Sequence, residues 1–222
     1  MIVYGRHKIF KKDLYAVNKT LKSNYLSTGP KIKQYENKIC RYLNVKYASS
    51  CSSGTAGLHL AFIAAGIKKN DVVLLPVINF VAASNLLLNI GAKIFFCDVE
   101  KNSGLISSRT IQECIKKKKL KKIKAVVNSH LAGDVRNIKE IYTLKKKIGF
   151  ILIDDACHAL GTIYKYNNKI FKVGSCKHSD LSIFSTHPLK TITTGEGGFI
   201  TTNKKVYFEK IEKIKSHGVV RK

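Results

Sequence analysis

The 222-residue chain has few residues of several types, and each shortage excludes a class of protein. It contains no tryptophan, one methionine and three prolines, while 45% of its residues are hydrophobic. That composition is typical of a folded protein and excludes a disordered or collagen-like chain. No apolar run reaches the roughly 18 residues of a membrane span, because asparagines and serines interrupt the longest one, 72–96. The chain also begins without the apolar core of a signal peptide, so we expect a cytoplasmic protein without membrane contact.

The six cysteines are not spaced as metal ligands are. They are scattered without a C-x-x-C pair, whereas zinc and iron–sulfur sites usually contain closely spaced ligands. We therefore predict no metal centre. In a reducing compartment, the cysteines are expected to be mostly small, buried apolar residues.

Acidic residues are scarce as well. The chain has 40 lysines and arginines against 14 aspartates and glutamates, a formal net charge of +26. Such a charge is compatible with nucleic-acid binding, but only five of the basic residues are arginine, which base readout favours. The densest run, 116–124, is predicted to be a solvated helix end and loop. We predict that the charge reflects composition, that no specific nucleic acid is bound, and that anionic small substrates remain compatible.

Short apolar segments alternate with helical ones along the chain. Strands are predicted at 72–76, 93–97, 125–128, 150–154, 181–184 and 198–201, and helices at 55–66, 81–89, 108–116, 138–147 and 204–216. Strands that are apolar on both faces and alternate with helices predict an α/β domain with a mostly parallel central sheet and helices on both faces. Ligands bind such sheets at the carboxyl ends of the strands.

The first candidate segment is Ser49–Gly57, a run of small residues that opens a helix. Small residues let backbone amides approach an anion, and the amino terminus of a helix carries a partial positive charge. The segment could therefore hold a phosphate group, or it could simply be a serine-capped helix start. It contains neither of the common nucleotide-binding glycine motifs.

The second candidate segment ends an apolar strand with Asp154 and Asp155, and His158 follows. A carboxylate at this position could hold a magnesium ion, orient the histidine or pair with a protonated ring nitrogen. The alternative is an aspartate that caps a helix beside a packed histidine.

The third candidate segment is Phe184–Gly198, in which a strand ends in hydroxyl residues and a loop presents Lys190. Most lysines of the chain are expected at the surface, but Lys190 is flanked by apolar and hydroxyl residues and not by other charges, and a partly buried lysine can form a Schiff base with an aldehyde. The three segments together offer a phosphate site, a carboxylate for a pyridinium and a lysine for an aldehyde. Pyridoxal 5'-phosphate requires this combination.

These residues resemble the DegT/DnrJ/EryC1/StrS family of sugar aminotransferases, which are pyridoxal-phosphate enzymes of fold type I. Its F-S-x-H-x-x-K-x-x-T-x-G-E-G-G block corresponds to Phe184–Gly198, its S-G-T-A block to Ser53–Ala56, and its D-A-x-H-A-x-G block to Asp155–Gly161. The resemblance implies an N-terminal segment, 1–30, and a cofactor-binding large domain, 31–222, with the family's small C-terminal domain missing from this sequence.

The resemblance also implies a role for each site residue. Lys190 would form the Schiff base with the cofactor and act as the catalytic base, and Asp155 would pair with the pyridine nitrogen. Phosphate contacts are implied for Thr55, Ala56 and Ser185, stacking on the ring for Phe80, and a place beside the phenolic oxygen for His158.

The implied reaction moves an amino group from an amino acid, usually glutamate, to a nucleotide-linked keto-sugar. The chain is most similar to the branch that aminates a UDP-linked 4-keto-6-deoxy-hexose on the route to pseudaminic acid, and a homodimer is implied. Two alternatives are a sugar dehydratase of the same fold, which has histidine in place of the lysine, and a non-catalytic relative. Lys190 disfavours the first, and the retained Lys190–Asp155 pair disfavours the second.

Overall fold

The computed structural model describes residues 5–219, which are built around a seven-stranded sheet. The strands are β1 Tyr47–Cys51, β2 Val72–Pro76, β3 Lys93–Cys97, β4 Ala125–Ser129, β5 Ile151–Asp155, β6 Ile163–Tyr166, β7 Lys169–Lys172, β8 Leu181–Ser185 and β9 Gly198–Thr202. The helices are α1 Lys11–Leu21, α2 Pro30–Leu43, α3 Gly54–Ala64, α4 Ala82–Ile90, α5 Ser108–Lys117, α6 Ile138–Ile148 and α7 Lys205–Lys215.

The sheet is mostly parallel, as the sequence predicts. Its strand order is β1-β9-β8-β5-β4-β2-β3, and only β9 runs antiparallel to its neighbours. The carboxyl ends of the six parallel strands therefore lie side by side at one end of the sheet, which is called the sheet edge below. Strand β9 begins at that same end. The remaining strands, β6 and β7, form a separate antiparallel hairpin.

Helices cover both faces of the sheet. On one face, Phe62 of α3, Leu87 of α4 and Ile211 of α7 pack with alternate strand residues such as Ile153 and Ile183. On the other face, α5 and α6 pack on the strand residues in between, and α2 packs near β8 and β9. Because successive strand residues point to opposite faces, both sets of residues are buried, and most of them are apolar.

Some elements carry too weak a pattern to be predicted. All the predicted strands and helices occur, with ends shifted by at most two residues. The edge strand β1 has the sequence Y-A-S-S-C, which offers little apolar signal, and α1 buries no residue at all. The hairpin is also largely exposed. The boundary expected at residue 30 coincides with the start of α2, and the division into segment and domain stays a prediction.

Two surface features follow from the same structure. The lysine-rich run 116–124 ends α5 and forms the loop to β4, with its lysines exposed or half-exposed, as predicted. Within residues 5–219, no helix is both long enough and apolar enough to cross a membrane.

Candidate active site

The three candidate segments meet at the edge of the sheet where the parallel strands end. Helix α3 follows β1, residues 156–158 follow β5, and the loop that carries Lys190 connects β8 to β9. Their strands are near neighbours in the order β1-β9-β8-β5. The sheet topology thus brings together side chains that are more than 130 positions apart in the chain.

The amino terminus of α3 lies against the ends of β5 and β8. A Cβ atom on Gly54 would lie 2.9 Å from Cys157 Sγ and 3.0 Å from Ser185 Cβ, so only glycine permits this approach. Ser53 caps the helix, and its hydroxyl accepts the Ala56 N–H at 3.0 Å. The Thr55 side chain is exposed beside it. The first-turn amides and hydroxyls form a cradle suited to an anion.

Asp154 and Asp155 lie on opposite faces of the sheet, as successive strand residues must. Asp155 lies on the α3 side, is 8% exposed, and accepts the Cys157 N–H at 3.2 Å. Within the described part of the chain, no side-chain cation forms an ion pair with Asp155. Asp154 lies on the opposite side and accepts a hydrogen bond from Ser182 Oγ at 3.2 Å. Only Asp155 faces the α3 cradle.

Hydrogen bonds close the loop that presents Lys190. The Lys190 N–H donates to the His187 carbonyl at 2.9 Å, and the hydroxyls of Thr186 and Thr194 lie 2.7 Å apart. Gly197 has a φ of +156°, and a Cβ there would collide with both threonine hydroxyls. The compact turn leaves the Lys190 side chain half-buried at the sheet edge.

The charges of Lys190 and Asp155 act on the two residues between them. Partial burial lowers the pKa of His158, the positive charge of Lys190 lowers it further, and Asp155 opposes both effects. Burial raises the pKa of the Cys157 thiol strongly, and Asp155 adds to the increase while Lys190 opposes it. At neutral pH we therefore expect a neutral imidazole and a protonated thiol, which excludes Cys157 as a nucleophile.

The position of His158 is also defined by a hydrogen bond. Its Nδ1 accepts the Ala132 N–H at 3.4 Å, so the proton of the neutral ring resides on Nε2. That N–H is available to donate to an oxygen atom of a ligand.

Phe80 is the one predicted site residue that stands apart from the others. It follows β2, which β4 separates from β5, and its side chain is 69% exposed. Its neighbours Val77, Ile78 and Val81 are also exposed, so the segment after β2 presents several apolar side chains at the surface.

Sequence reasoning offered a serine cap at the start of α3 as one interpretation, but it did not single out Gly54, Cys157 or Thr186. Gly54 lies inside the predicted cradle, and Ser53 is the residue that caps the helix. Nothing in the sequence indicates that Cys157 contacts Gly54, because that contact depends on strand order. Among residues 5–219, no three side chains of histidine, cysteine, aspartate or glutamate are grouped as metal ligands.

Sequence comparison identifies similar proteins along the whole chain. A model of the DegT/DnrJ/EryC1/StrS aminotransferase family matches residues 7–222. The chain is 41% identical to a UDP-4-amino-4,6-dideoxy-N-acetyl-beta-L-altrosamine transaminase of Campylobacter jejuni subsp. jejuni serotype O:23/36 (strain 81-176), over 222 residues. All of this chain is covered, together with 57% of that relative.

Solved structures of similar proteins have the same fold as this chain. Helicobacter pylori PseC, described as an aminotransferase involved in the biosynthesis of pseudoaminic acid, superposes with a TM-score of 0.86 at 31% identity. The match covers 99% of this chain and 57% of PseC. The aminotransferase TlmJ from Streptoalloteichus hindustanus superposes with a TM-score of 0.90 at 28% identity, covering 100% of this chain and 58% of that one. The chain thus spans little more than half the length of these proteins.

Proposed function

Because the chain belongs to the DegT/DnrJ/EryC1/StrS aminotransferase family, we propose that it forms the cofactor-binding part of a pyridoxal-phosphate-dependent sugar aminotransferase. The enzyme moves an amino group from an amino acid, glutamate, to a nucleotide-linked keto-sugar. The observation that carries this proposal is the meeting of the α3 cradle, Asp155 and Lys190 at one edge of the sheet.

The proposed sugar substrate is a UDP-linked 4-keto-6-deoxy-N-acetylhexosamine. Two similar proteins support this choice: the Campylobacter transaminase, whose name specifies a UDP-linked 4-amino-4,6-dideoxy sugar, and PseC. Transamination would replace the keto oxygen at carbon 4 with an amino group. The donor amino acid would become the corresponding 2-keto acid.

The residues at the sheet edge fit pyridoxal phosphate by their chemistry. The α3 amides with the Thr55 and Ser185 hydroxyls suit a phosphate group. A buried carboxylate is costly without a cation, and a protonated ring nitrogen would compensate Asp155. Phe80 offers an exposed aromatic face to the ring, and the His158 Nε2–H can donate to the ring's phenolic oxygen.

Each residue then has a separate task in the reaction. Pyridoxal phosphate, when bound, supplies an electron-withdrawing ring that stabilises negative charge on the adjacent substrate carbon. Asp155 holds the proton on the ring nitrogen, which keeps the ring electron-withdrawing. The amine of Lys190 removes the proton from the substrate carbon and returns one as a general base and acid. The neutral His158 orients the ring without adding a second positive charge.

The proposal includes a cytoplasmic homodimer that binds no specific nucleic acid. The exposed apolar side chains of Val77, Ile78, Phe80 and Val81 form a surface that a second subunit could cover.

Lys190 provides the decisive test. Incubation with pyridoxal phosphate, reduction with borohydride and peptide mapping should place one stoichiometric label on Lys190, because a bound aldehyde meets this amine at a high effective concentration. Lys190→Ala should abolish the label and lower transamination by at least about 10²-fold.

The matched control is Lys118→Ala, which removes an exposed lysine far from the site. This variant should retain the label on Lys190 and the activity. A label spread over many surface lysines would refute cofactor binding at this site. Specific labelling without transamination of any nucleotide-linked keto-sugar would instead support the non-catalytic relative.

A further inference from the structure

A row of buried polar side chains crosses the sheet on the face opposite to Asp155. The strand register pairs Asn128 with Asp154, Asp154 with Ser182, and Ser182 with Thr201, so these four residues stand side by side on β4, β5, β8 and β9. None is more than 6% exposed. Polar groups buried this deeply require hydrogen-bond partners.

The orientation of the Asn128 amide is set by its neighbour Asn137. The Asn137 Nδ2 group donates to the Ile106 carbonyl at 3.0 Å and to Asn128 Oδ1 at 2.8 Å. Asn128 Oδ1 therefore faces Asn137, and Asn128 Nδ2 points elsewhere. Within residues 5–219, this fully buried donor has no hydrogen-bond partner.

The neighbouring Asp154 has spare capacity to accept hydrogen bonds. Its Oδ2 accepts the Ser182 hydroxyl at 3.2 Å, and His130 Nε2 lies 3.3 Å from its Oδ1. An ionised carboxylate can accept about four hydrogen bonds. Asp154 can thus accept at least one more donor.

Asn128 and Asp154 both line a small internal cavity. Its volume is about 10 Å³, which suits a single water molecule. The segment 164–179, which covers this face, contributes further polar groups to the cavity lining. They belong to Tyr164, Cys176, His178 and Ser179. The Tyr164 hydroxyl and His178 Nδ1 already pair with each other at 2.7 Å.

We propose that this cavity binds one water molecule, which accepts a hydrogen bond from Asn128 Nδ2 and donates one to the Asp154 carboxylate. The occupant must accept from an amide N–H and donate to a carboxylate at the same time. A metal cation cannot accept a hydrogen bond, and Asp154 repels an anion. An organic ligand exceeds the volume, so water is the occupant whose chemistry fits.

The water bridges β4 and β5 next to the ends that carry His130 and Asp155. Its binding does not depend on the proposed enzymatic function, because the cavity lies on the other face of the sheet.

A crystal structure of the chain that resolves ordered water tests the proposal directly. We expect one peak of density within hydrogen-bond distance of both Asn128 Nδ2 and an oxygen of Asp154. An empty cavity would overturn the proposal. A peak contacted only by oxygen atoms at metal-ligand distances would overturn it in favour of a cation.

A solution measurement gives an independent answer. Oxygen-17 relaxation dispersion counts long-lived internal waters, and Asn128→Leu, which replaces the donor with apolar bulk, should lower that count by one. The matched control is Thr201→Val, which alters the same polar row at constant shape but does not line the cavity, and should leave the count unchanged. Equal counts in Asn128→Leu and the parent protein would contradict the proposal. Should Asn128→Leu fail to fold, the crystal structure of the parent protein decides.

Discussion

At the scale of single residues, the two adjacent aspartates of β5 have different surroundings. Asp155 faces the α3 cradle and, among residues 5–219, pairs with no side-chain cation, whereas Asp154 lies in the polar row on the other face. Adjacent positions in a strand cannot share a face, so the two carboxylates cannot exchange roles. This difference allows the proposed role of Asp155 to be tested with a neighbouring control.

We predict that Asp155→Asn lowers transamination much more than cofactor retention. An amide stabilises a protonated ring nitrogen less well than a carboxylate does, and each lost pKa unit of that pairing corresponds to about 1.4 kcal/mol. Steady-state kinetics and the cofactor's absorbance in the purified protein measure the two effects separately.

Asp154→Asn is the matched control. It should lower the thermal stability of the protein and should reduce the rate of transamination only slightly. Equal activity of Asp155→Asn and the parent would mean that Asp155 does not hold the ring nitrogen.

At the scale of elements, the start of α3 depends on a close approach. Gly54 of this helix lies so near the ends of β5 and β8 that any side chain there must displace Cys157 or Ser185. The cradle is therefore a product of three elements, although all its backbone amides belong to one.

We predict that Gly54→Ala weakens binding of pyridoxal phosphate at least tenfold and destabilises the fold by about 1–3 kcal/mol, the usual cost of overpacking. Fluorescence titration and denaturant unfolding measure the two changes. Gly149→Ala is a suitable control, because Gly149 has a φ of +89° but open space around it. That variant should lose some stability with no change in binding, and a similar binding loss in both variants would contradict the cradle.

The hairpin β6–β7 forms part of an aromatic cluster around His178, which lies between Tyr164, Tyr166 and Phe171. Burial lowers the pKa of His178, Asp154 opposes that effect, and the positive charge of Lys146 adds to it. Because the pKa in the folded state lies below the unfolded value of about 6.5, the unfolded chain binds more protons in acid. Stability must then fall as the pH decreases through that value.

We predict that the free energy of unfolding falls between about pH 7 and pH 5 and that His178→Gln reduces this slope. Glutamine can still accept a hydrogen bond from the Tyr164 hydroxyl, but it loses the ring packing against Tyr166 and Phe171, so the readout is the pH slope and not the absolute stability. Urea unfolding at several pH values measures the slope. His59→Gln, on the exposed side of α3, should keep the slope of the parent; a flat pH profile in the parent would refute the prediction.

At the scale of the whole molecule, the basic residues that give the net charge of +26 are spread along nearly every segment of the chain. The lysines of the run 116–124 lie at a helix end and in a loop, where side chains are solvated. A surface of this kind attracts polyanions without selecting a sequence.

We predict that the chain binds double-stranded DNA weakly, equally for unrelated sequences, and that binding collapses between about 50 and 200 mM salt. Fluorescence anisotropy with two unrelated duplexes measures both properties. Changing Lys118 and Lys121 to glutamate should weaken binding to both duplexes alike. Binding that survives 200 mM salt and prefers one duplex would contradict the prediction.

Local composition and motifs predict the class of the fold, which the structure confirms, and they single out candidate residues for the site. A continuous apolar strand such as β2 can only be buried on both faces, which requires helices on each side. The residues that follow the strands, Lys190 above all, differ enough from their surroundings to mark a ligand site. Those conclusions depend on local composition, which can be read from the sequence without knowledge of the fold.

Tertiary structure alone decided which residues meet and which do not. The sequence does not show that β9 lies between β1 and β8, that Gly54 lies against Cys157, or which of the two aspartates, Asp154 and Asp155, faces α3. The exposed α1 and the polar strand β1 were not predicted for a different reason, which is that their local sequence patterns are weak. Strand order and register arise from packing between distant segments, and a one-residue change of register would move every side chain to the other face.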